Sequence, residues 1–293
     1  MTRARITTLF PNAVLDRLQR LRLLSRSRRT NRSRGEHLSG RGGASTEFCD
    51  YRNYAPGDDT RFVDWNIFAR LHRPYLKQFH REEERHVVLL VDASRSMAFD
   101  GKIERARELA AALGVLGLLN GERVSVYTGT ATPRLSAARG RASLRALFAA
   151  IEGLQAGGAA PVEDAVTAML RRHRGRGACY VVSDFLTFGD LTRPFNLLHA
   201  AGLELMGLQV LSPAEVEPPV TDDLRLVDSE TAGALDVTAA GDLLSLYQEY
   251  RRAYEQQLAL ACSRRSGRFV SIRSDATLED ILFDTLRRQA WIG

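Results

Sequence analysis

Two short, unbroken apolar runs, each ending in an aspartate, constrain the fold of this chain most strongly. Residues 86–92 read His-Val-Val-Leu-Leu-Val-Asp, and residues 178–184 read Ala-Cys-Tyr-Val-Val-Ser-Asp. A run that is apolar at consecutive positions is typical of a strand buried on both faces of its sheet. Because such sheets are mostly parallel and are covered by helices on both sides, we expect a doubly wound α/β fold.

The rest of the chain after residue 85 alternates between helical and strand patterns. Residues 102–120 have apolar side chains at helical spacing, and residues 123–127 are predicted as a second strand. The other predicted elements are an edge strand at 132–135, helices at 143–153 and 162–172, a strand at 203–211, a hairpin at 224–227 and 234–237, a helix at 243–264, a strand at 268–273 and a helix at 278–288. In such folds, ligands bind beyond the carboxyl ends of the strands, where Asp92 and Asp184 are expected to converge.

The positive charge of the chain is concentrated at its N-terminus. The chain has a formal net charge of +6, yet its first 43 residues contain eleven arginines and only two carboxylates. An amphipathic helix is predicted at residues 14–24, followed by an Arg-, Ser- and Gly-rich arm. We favour a helix and linker that dock on the slightly acidic body. The alternative is contact with nucleic acid or an anionic membrane through this basic segment.

Composition excludes several classes of protein. The longest apolar run, residues 109–119, is too short to cross a bilayer, which needs about 20 residues. No apolar segment follows the basic N-terminus, so a secretory signal is not expected. Three widely spaced cysteines suit neither a disulfide framework nor a zinc site. A reducing cytoplasm is the expected compartment.

The loop after the first apolar run has the residue types of a metal site. Asp92, Ser94 and Ser96 are spaced two residues apart, so one tight turn offers three oxygen ligands of the kind Mg²⁺ prefers. Asp184, at the end of the other run, is expected to add a fourth. The alternative is that Asp92 and Ser94 only cap the following helix and bond the loop backbone.

This pattern resembles the metal-ion-dependent adhesion site of von Willebrand factor A domains, in which a threonine from a second loop also binds the ion. Here the second loop reads Gly-Gly-Ala-Ala-Pro at residues 157–161, and Ala159 or Ala160 stands where that threonine is expected. The resemblance therefore implies a degenerate site for Mg²⁺ or Mn²⁺, with water in place of the missing ligand.

A second resemblance covers most of the chain. Residues 46–66 contain Glu-Phe, then Arg-Asn-Tyr-Ala-Pro-Gly-Asp, then Arg-Phe-Val-Asp-Trp, and Ala-Arg follows at 69–70. This order is similar to the signature of the bacterial family called domain of unknown function 58. Charge and periodicity set apart a basic N-terminal helix and linker at 1–45. The resemblance runs from about residue 36 to the C-terminus and implies a charge-rich signature segment at 46–85 and a von Willebrand factor A-like domain at 86–293.

The family resemblance also implies a function. Members are commonly encoded beside AAA+ ATPases of the MoxR type and are thought to act as their partners or adaptors in chaperone-like protein maturation. We therefore expect a non-enzymatic protein-interaction module. An enzyme is not favoured, since no phosphate-binding glycine loop, serine nucleophile elbow or metal-ligand histidine spacing is present.

Within the signature segment, five residues are candidates for partner binding: Arg52, Asp58, Arg61, Asp64 and Trp65. The Pro-Gly-Asp sequence at 56–58 builds a turn, and the neighbouring arginines and aspartates are spaced for an ion-pair network. The competing interpretation is structural: the charges hold the segment together, and the indole is buried against the body.

Overall fold

The computed structural model describes residues 5–24, 48–79, 84–158, 160–187, 189–218, 223–227, 234–238 and 240–293. The strands are β1 (Phe48–Asn53), β2 (Tyr75–Phe79), β3 (His86–Val91), β4 (Arg123–Tyr127), β5 (Leu135–Ala138), β6 (Gly177–Ser183), β7 (Leu203–Leu211), β8 (Asp223–Val227), β9 (Ala234–Thr238) and β10 (Arg268–Arg273). The α-helices are α1 (Asn12–Leu18), α2 (Trp65–Leu71), α3 (Lys102–Leu119), α4 (Leu144–Glu152), α5 (Val162–Arg172), α6 (Thr192–Ala200), α7 (Pro213–Val216), α8 (Ala240–Ser263) and α9 (Leu278–Asp280).

The chain divides into two compact units. The larger unit contains Met1–Ser27 and Glu84–Gly293, and the smaller unit contains Arg28–Glu83. The predicted signature segment at 46–85 accounts for most of the smaller unit. The structure differs from the predicted boundaries at the N-terminus, where α1 is part of the larger unit because its apolar side chains lie in that unit's core.

The larger unit is built on a six-stranded sheet with the order β10-β7-β6-β3-β4-β5. The first five strands are parallel neighbours, whereas the edge strand β5 runs antiparallel to β4. Strands β3 and β6 pair in register from His86 opposite Gly177 to Val91 opposite Val182. The predicted doubly wound, mostly parallel sheet is confirmed.

Alternate side chains of β3 enter two different apolar clusters. Val87, Leu89 and Val91 pack with α1, α3, α4 and the C-terminal residues, whereas Val88 and Leu90 pack with α5, α6 and α8. Both clusters are buried, which explains why the sequence of this strand is continuously apolar rather than alternating. The sheet is therefore sandwiched between two helical layers.

Helix α3 lies very close to the sheet along its length. A Cβ added at Gly117 would lie 2.8 Å from a methyl group of Val124 on β4, which is shorter than real carbon contacts. Glycine is therefore required for the close approach of this helix to the strand. This packing holds the start of α3, at Lys102, against the carboxyl ends of the strands.

The N-terminal helix is shorter than predicted and is docked. Val14, Leu15 and Leu18 are buried, and the Arg17 guanidinium lies 3.4 Å over the ring of Phe283. The expected docking on the body thus occurs through apolar contacts. The predicted helix extends to residue 24, but α1 ends at Leu18. Backbone hydrogen bonds from residues 22–24 to the C-terminal residues 291–293 replace the last helical turn.

Strands β8 and β9 form the predicted hairpin, which pairs antiparallel from Asp223 opposite Thr238 to Val227 opposite Ala234. The hairpin was expected to flank residues 229–231, which lie outside the described residues. The basic arm predicted at 25–45 also lies outside them. In the part of the chain that the structure describes, no helix combines the length and apolar character needed to span a membrane.

Candidate functional site

The carboxyl ends of β3 and β6 meet at one edge of the sheet, and this edge holds the residues of the predicted metal site. Because β3 and β6 are in register, Asp92, which follows β3, lies beside Ser183, the last residue of β6. Ser183 Oγ donates to Asp92 Oδ2 at 2.6 Å. The other oxygen of Asp92 accepts from the Ser94 backbone N–H at 2.8 Å. Burial raises the pKa of the Asp92 carboxyl above its ordinary value, against the effect of these donors.

The two serines of the Asp-x-Ser-x-Ser loop also lie together. Ser94 Oγ and Ser96 Oγ are 3.0 Å apart, within hydrogen-bond distance of each other. The predicted second loop closes over this turn, since the backbone N–H groups of Gly157 and Gly158 both donate to Ala93 O at 3.0 and 2.8 Å. Ala159 lies outside the described residues.

A lysine that the sequence analysis did not assign to the site dominates its electrostatics. Lys102, at the first position of α3, is fully buried. Its ammonium donates to Asp184 Oδ2 at 2.9 Å and to Glu215 Oε1 at 2.6 Å. Burial lowers the pKa of Lys102, but the two carboxylates outweigh it, so the net pKa is raised above the ordinary value. The lysine is therefore a charged group inside the protein.

The oxygen atoms predicted to bind Mg²⁺ or Mn²⁺ are engaged with groups of the protein itself. Asp184 accepts from Lys102 at one oxygen and from the Leu186 backbone N–H at the other, at 3.1 Å. Among the described residues, no three carboxylate, imidazole or thiol groups are grouped so that they could hold a metal ion. Because the Lys102 ammonium and the Leu186 N–H occupy both oxygens of Asp184, this carboxylate as arranged does not fit a divalent cation. The metal site stays a prediction from the sequence.

Lys102, Ser183 and Glu215 were missed by sequence reasoning. One signal pointed to Lys102: it is one of two lysines in a chain whose other basic residues, apart from histidine, are arginines. A lysine presents a compact point charge on a flexible stem, whereas an arginine presents a planar fork of donors. The other lysine, Lys77, is also held by an aspartate, at 3.1 Å from Asp64. Both lysines of the chain thus pair with aspartates.

In the smaller unit, the signature residues hold their own segment together. The Arg52 guanidinium donates to both oxygens of Asp58 at 2.7 and 2.6 Å, and Asp58 also accepts from the Ala55 N–H, which fixes the Pro-Gly-Asp turn. Arg61 pairs with Asp59. The spacing predicted an arginine–carboxylate network here, and two separate pairs form, while Asp64 pairs with Lys77.

Asp64 organises the start of α2. One oxygen accepts from the backbone N–H groups of Asn66 and Ile67, and the other accepts from the Tyr51 hydroxyl at 3.0 Å and from the Lys77 ammonium. These donors lower the pKa of Asp64 to about 2, although burial opposes them. The carboxylate therefore ties β1, β2 and α2 to one another.

Trp65 is not buried within the smaller unit. Its side chain is 61% exposed, and it contacts Phe68 edge-to-face with ring centroids 6.0 Å apart. Leu71 is 59% exposed on the same helix. None of the residues of α2 is buried.

Comparison with known proteins decides the family. Residues 50–260 match the family described as "Protein of unknown function DUF58". The chain belongs to the DUF58 family. An uncharacterized protein of Mycobacterium bovis is 30% identical over 262 residues, which is 86% of this chain and 81% of that protein.

Solved structures resemble this DUF58 protein more distantly. The conserved hypothetical protein BatB from Bacteroides thetaiotaomicron is 14% identical with a TM-score of 0.44, over 70% of this chain and 98% of that one. The SpRpn10 VWA domain is 13% identical with a TM-score of 0.40, over 69% and 95%. The family match spans both the sheet edge at Asp92 and Asp184 and the signature helix α2.

Proposed function

We propose that this DUF58 protein is a non-enzymatic protein-interaction module whose partner docks on the exposed face of α2. The observation that carries the proposal is the exposure of Trp65, Phe68 and Leu71, which recur every three residues and so lie on one broad side of the helix. Large apolar side chains of this kind, and tryptophan above all, dominate the energetics of protein interfaces.

The face is held rigidly by the Asp64 network. Since Asp64 caps α2 and accepts from Tyr51 and Lys77 on the two strands, the helix is fixed before any partner binds. A pre-organised surface loses less conformational entropy on association than a flexible one. The charged residues of the signature thus serve to present Trp65, rather than to contact the partner themselves.

The chemistry of the surroundings indicates the kind of partner. Arg70 and Arg73 are exposed near the C-terminal end of α2, and neither pairs with a carboxylate among the described residues. A partner that combines apolar and acidic side chains would complement this face. From the family resemblance, we propose a MoxR-type AAA+ ATPase as that partner and the cytoplasm as the compartment.

The chemistry of the larger unit supports a non-enzymatic role. The thiols of Cys179 and Cys262 are buried, and burial raises the pKa of each to about 12, so neither is an activated nucleophile. Asp92 is held by Ser183 and the Ser94 N–H. These groups stabilise the loops at the sheet edge.

Binding of nucleic acid or an anionic membrane through the basic N-terminal segment is the alternative function. Its helical part, α1, is docked in the core, and the arm at 25–47 lies outside the described residues. No observation in the described residues favours it over the α2 face.

Affinity capture from a nuclease-treated lysate of the native host tests the proposal. Wild type, Trp65→Ala and Tyr250→Ala are compared by mass spectrometry; Tyr250 is a matched control because it is an exposed aromatic on α8 of the other unit. We expect wild type and Tyr250→Ala to capture an AAA+ ATPase, and Trp65→Ala to lose it. Equal recovery with all three proteins would refute the role of α2.

A further inference from the structure

We propose that Lys102 is the resident cation of the sheet edge, at the place where the resemblance to von Willebrand factor A domains implies a divalent metal ion. This inference concerns the larger unit and is independent of the α2 face.

The ammonium of Lys102 joins three segments that are far apart in sequence. Lys102 begins α3, Asp184 follows β6, and Glu215 lies in α7 after β7. The contact distances of 2.9 and 2.6 Å are those of charge-assisted hydrogen bonds. A cation at this point therefore holds together the loops that surround Asp92.

Both carboxylates are themselves oriented for this contact. Asp184 Oδ1 accepts from the Leu186 N–H, which leaves Oδ2 for the ammonium. Glu215 Oε2 accepts from the Ser212 N–H as part of a capping box at the start of α7, which leaves Oε1 for the ammonium. Two backbone donors thus aim one oxygen of each residue at Lys102.

Burial makes this arrangement selective against metal ions. The Lys102 side chain is fully buried and that of Asp184 is 3% exposed, so the ammonium cannot leave the site for solvent without opening the fold. A divalent ion that approached Asp184 would meet a positive charge on the same carboxylate, in a region where charge–charge repulsion is weakly screened. We therefore infer that the sheet edge of this protein works without a bound metal ion.

Titration of the full-length protein with Mn²⁺, followed by electron paramagnetic resonance and calorimetry, tests the inference. Wild type is expected to bind no stoichiometric Mn²⁺ at micromolar concentrations. Lys102→Met, which frees the carboxylates but keeps an unbranched side chain, is expected to bind one Mn²⁺ roughly 100-fold more tightly than wild type. The additional change Asp92→Asn is expected to remove that gained affinity.

Two controls keep the outcome interpretable. Lys77→Met removes the other lysine of the chain, in the smaller unit, and is expected to gain no affinity. Lys102→Arg keeps the positive charge and is also expected to gain none. Stoichiometric micromolar binding of Mn²⁺ by wild type would overturn the proposal whether or not the variants fold. Absence of any gain in a folded Lys102→Met protein would also overturn it.

Discussion

Replacing Lys102 by methionine should destabilise the larger unit strongly. The Lys102 side chain is fully buried. Of its two carboxylate partners, Asp184 is 3% exposed and Glu215 is 21% exposed. Removing one member of a buried ion pair costs about 3–5 kcal/mol, since the remaining charge stays buried without its partner. The pair with Asp184 accounts for most of this loss, because the Glu215 carboxylate is partly solvated.

The free energy of unfolding is measured by urea denaturation, with the fluorescence of Trp291 as the probe. Trp291 is fully buried in the larger unit, and the chain's other tryptophan, Trp65, is replaced by phenylalanine in every protein compared. A loss of about 3–5 kcal/mol corresponds to a fall in Tm on the order of 10 °C.

A double-mutant cycle separates the ion pair from the loss of packing. Asp184→Asn is made alone and together with Lys102→Met, and we expect the double variant to be more stable than the sum of the single losses by about 2 kcal/mol or more. A Lys102→Met loss below about 1 kcal/mol, the range of exposed ion pairs, would refute the reasoning.

The same variants have a defined pH dependence. The pKa of Lys102 is raised above its ordinary value of 10.5 in the folded protein. Its contribution to stability is therefore fully present below that value and is lost as the pH rises through the folded-state pKa. The stability difference between wild type and Lys102→Met should accordingly be constant near neutral pH and shrink in strong alkali.

Three further outcomes are expected. Burial raises the pKa of the Cys179 and Cys262 thiols to about 12. Both thiols should therefore resist Ellman's reagent at pH 8 in the native protein and react with it in urea, and peptide mapping identifies the modified residues. Burial lowers the pKa of His173 to about 4, so stability should fall by up to about 3 kcal/mol as the pH drops from 6.5 to that value, and His173→Gln should flatten the profile. Acylation of native protein should modify Lys77, which is 39% exposed, and spare the buried Lys102; equal rates at both lysines would contradict the structure.

The central strands were predictable because a strand that is buried on both faces is apolar at consecutive positions. The continuous apolar run at 86–92 became β3, whose alternate side chains enter opposite clusters. The edge strand was placed three residues early, at 132–135 instead of Leu135–Ala138. Pro133 has no N–H to donate, and the ladder to β4 begins at the Arg134 N–H.

Periodicity failed where distant parts of the chain compete with local structure. The apolar spacing of residues 14–24 suits a helix, but residues 22–24 pair with the backbone of 291–293 instead. No local pattern reveals that pairing. The predicted C-terminal helix at 278–288 forms, yet Ile281–Leu286 adopts π-helical hydrogen bonding, which periodicity alone does not indicate.

The candidate sites were predictable only in part. A parallel sheet places the carboxyl ends of its strands at one edge, so the sequence could predict that Asp92 and Asp184 lie at the same edge. That their strands are neighbours was not predictable. The partner of Asp184 was not predictable, because Lys102 lies 82 positions from Asp184 in the sequence. The second carboxylate on Lys102, that of Glu215, lies 113 positions from it. The exposure of Trp65 likewise depends on how α2 sits on its strands, which the sequence pattern does not specify.

Hydrogen–deuterium exchange in the presence of the captured ATPase, once purified, tests the central claim most directly. The account predicts slower exchange of the backbone amides at residues 66–72 in the complex, with wild type and Tyr250→Ala alike, and no such protection with Trp65→Ala. Protection restricted to the loops at Asp92 and Asp184, with α2 exchanging as in the free protein, would contradict the claim that α2 carries the partner-binding surface.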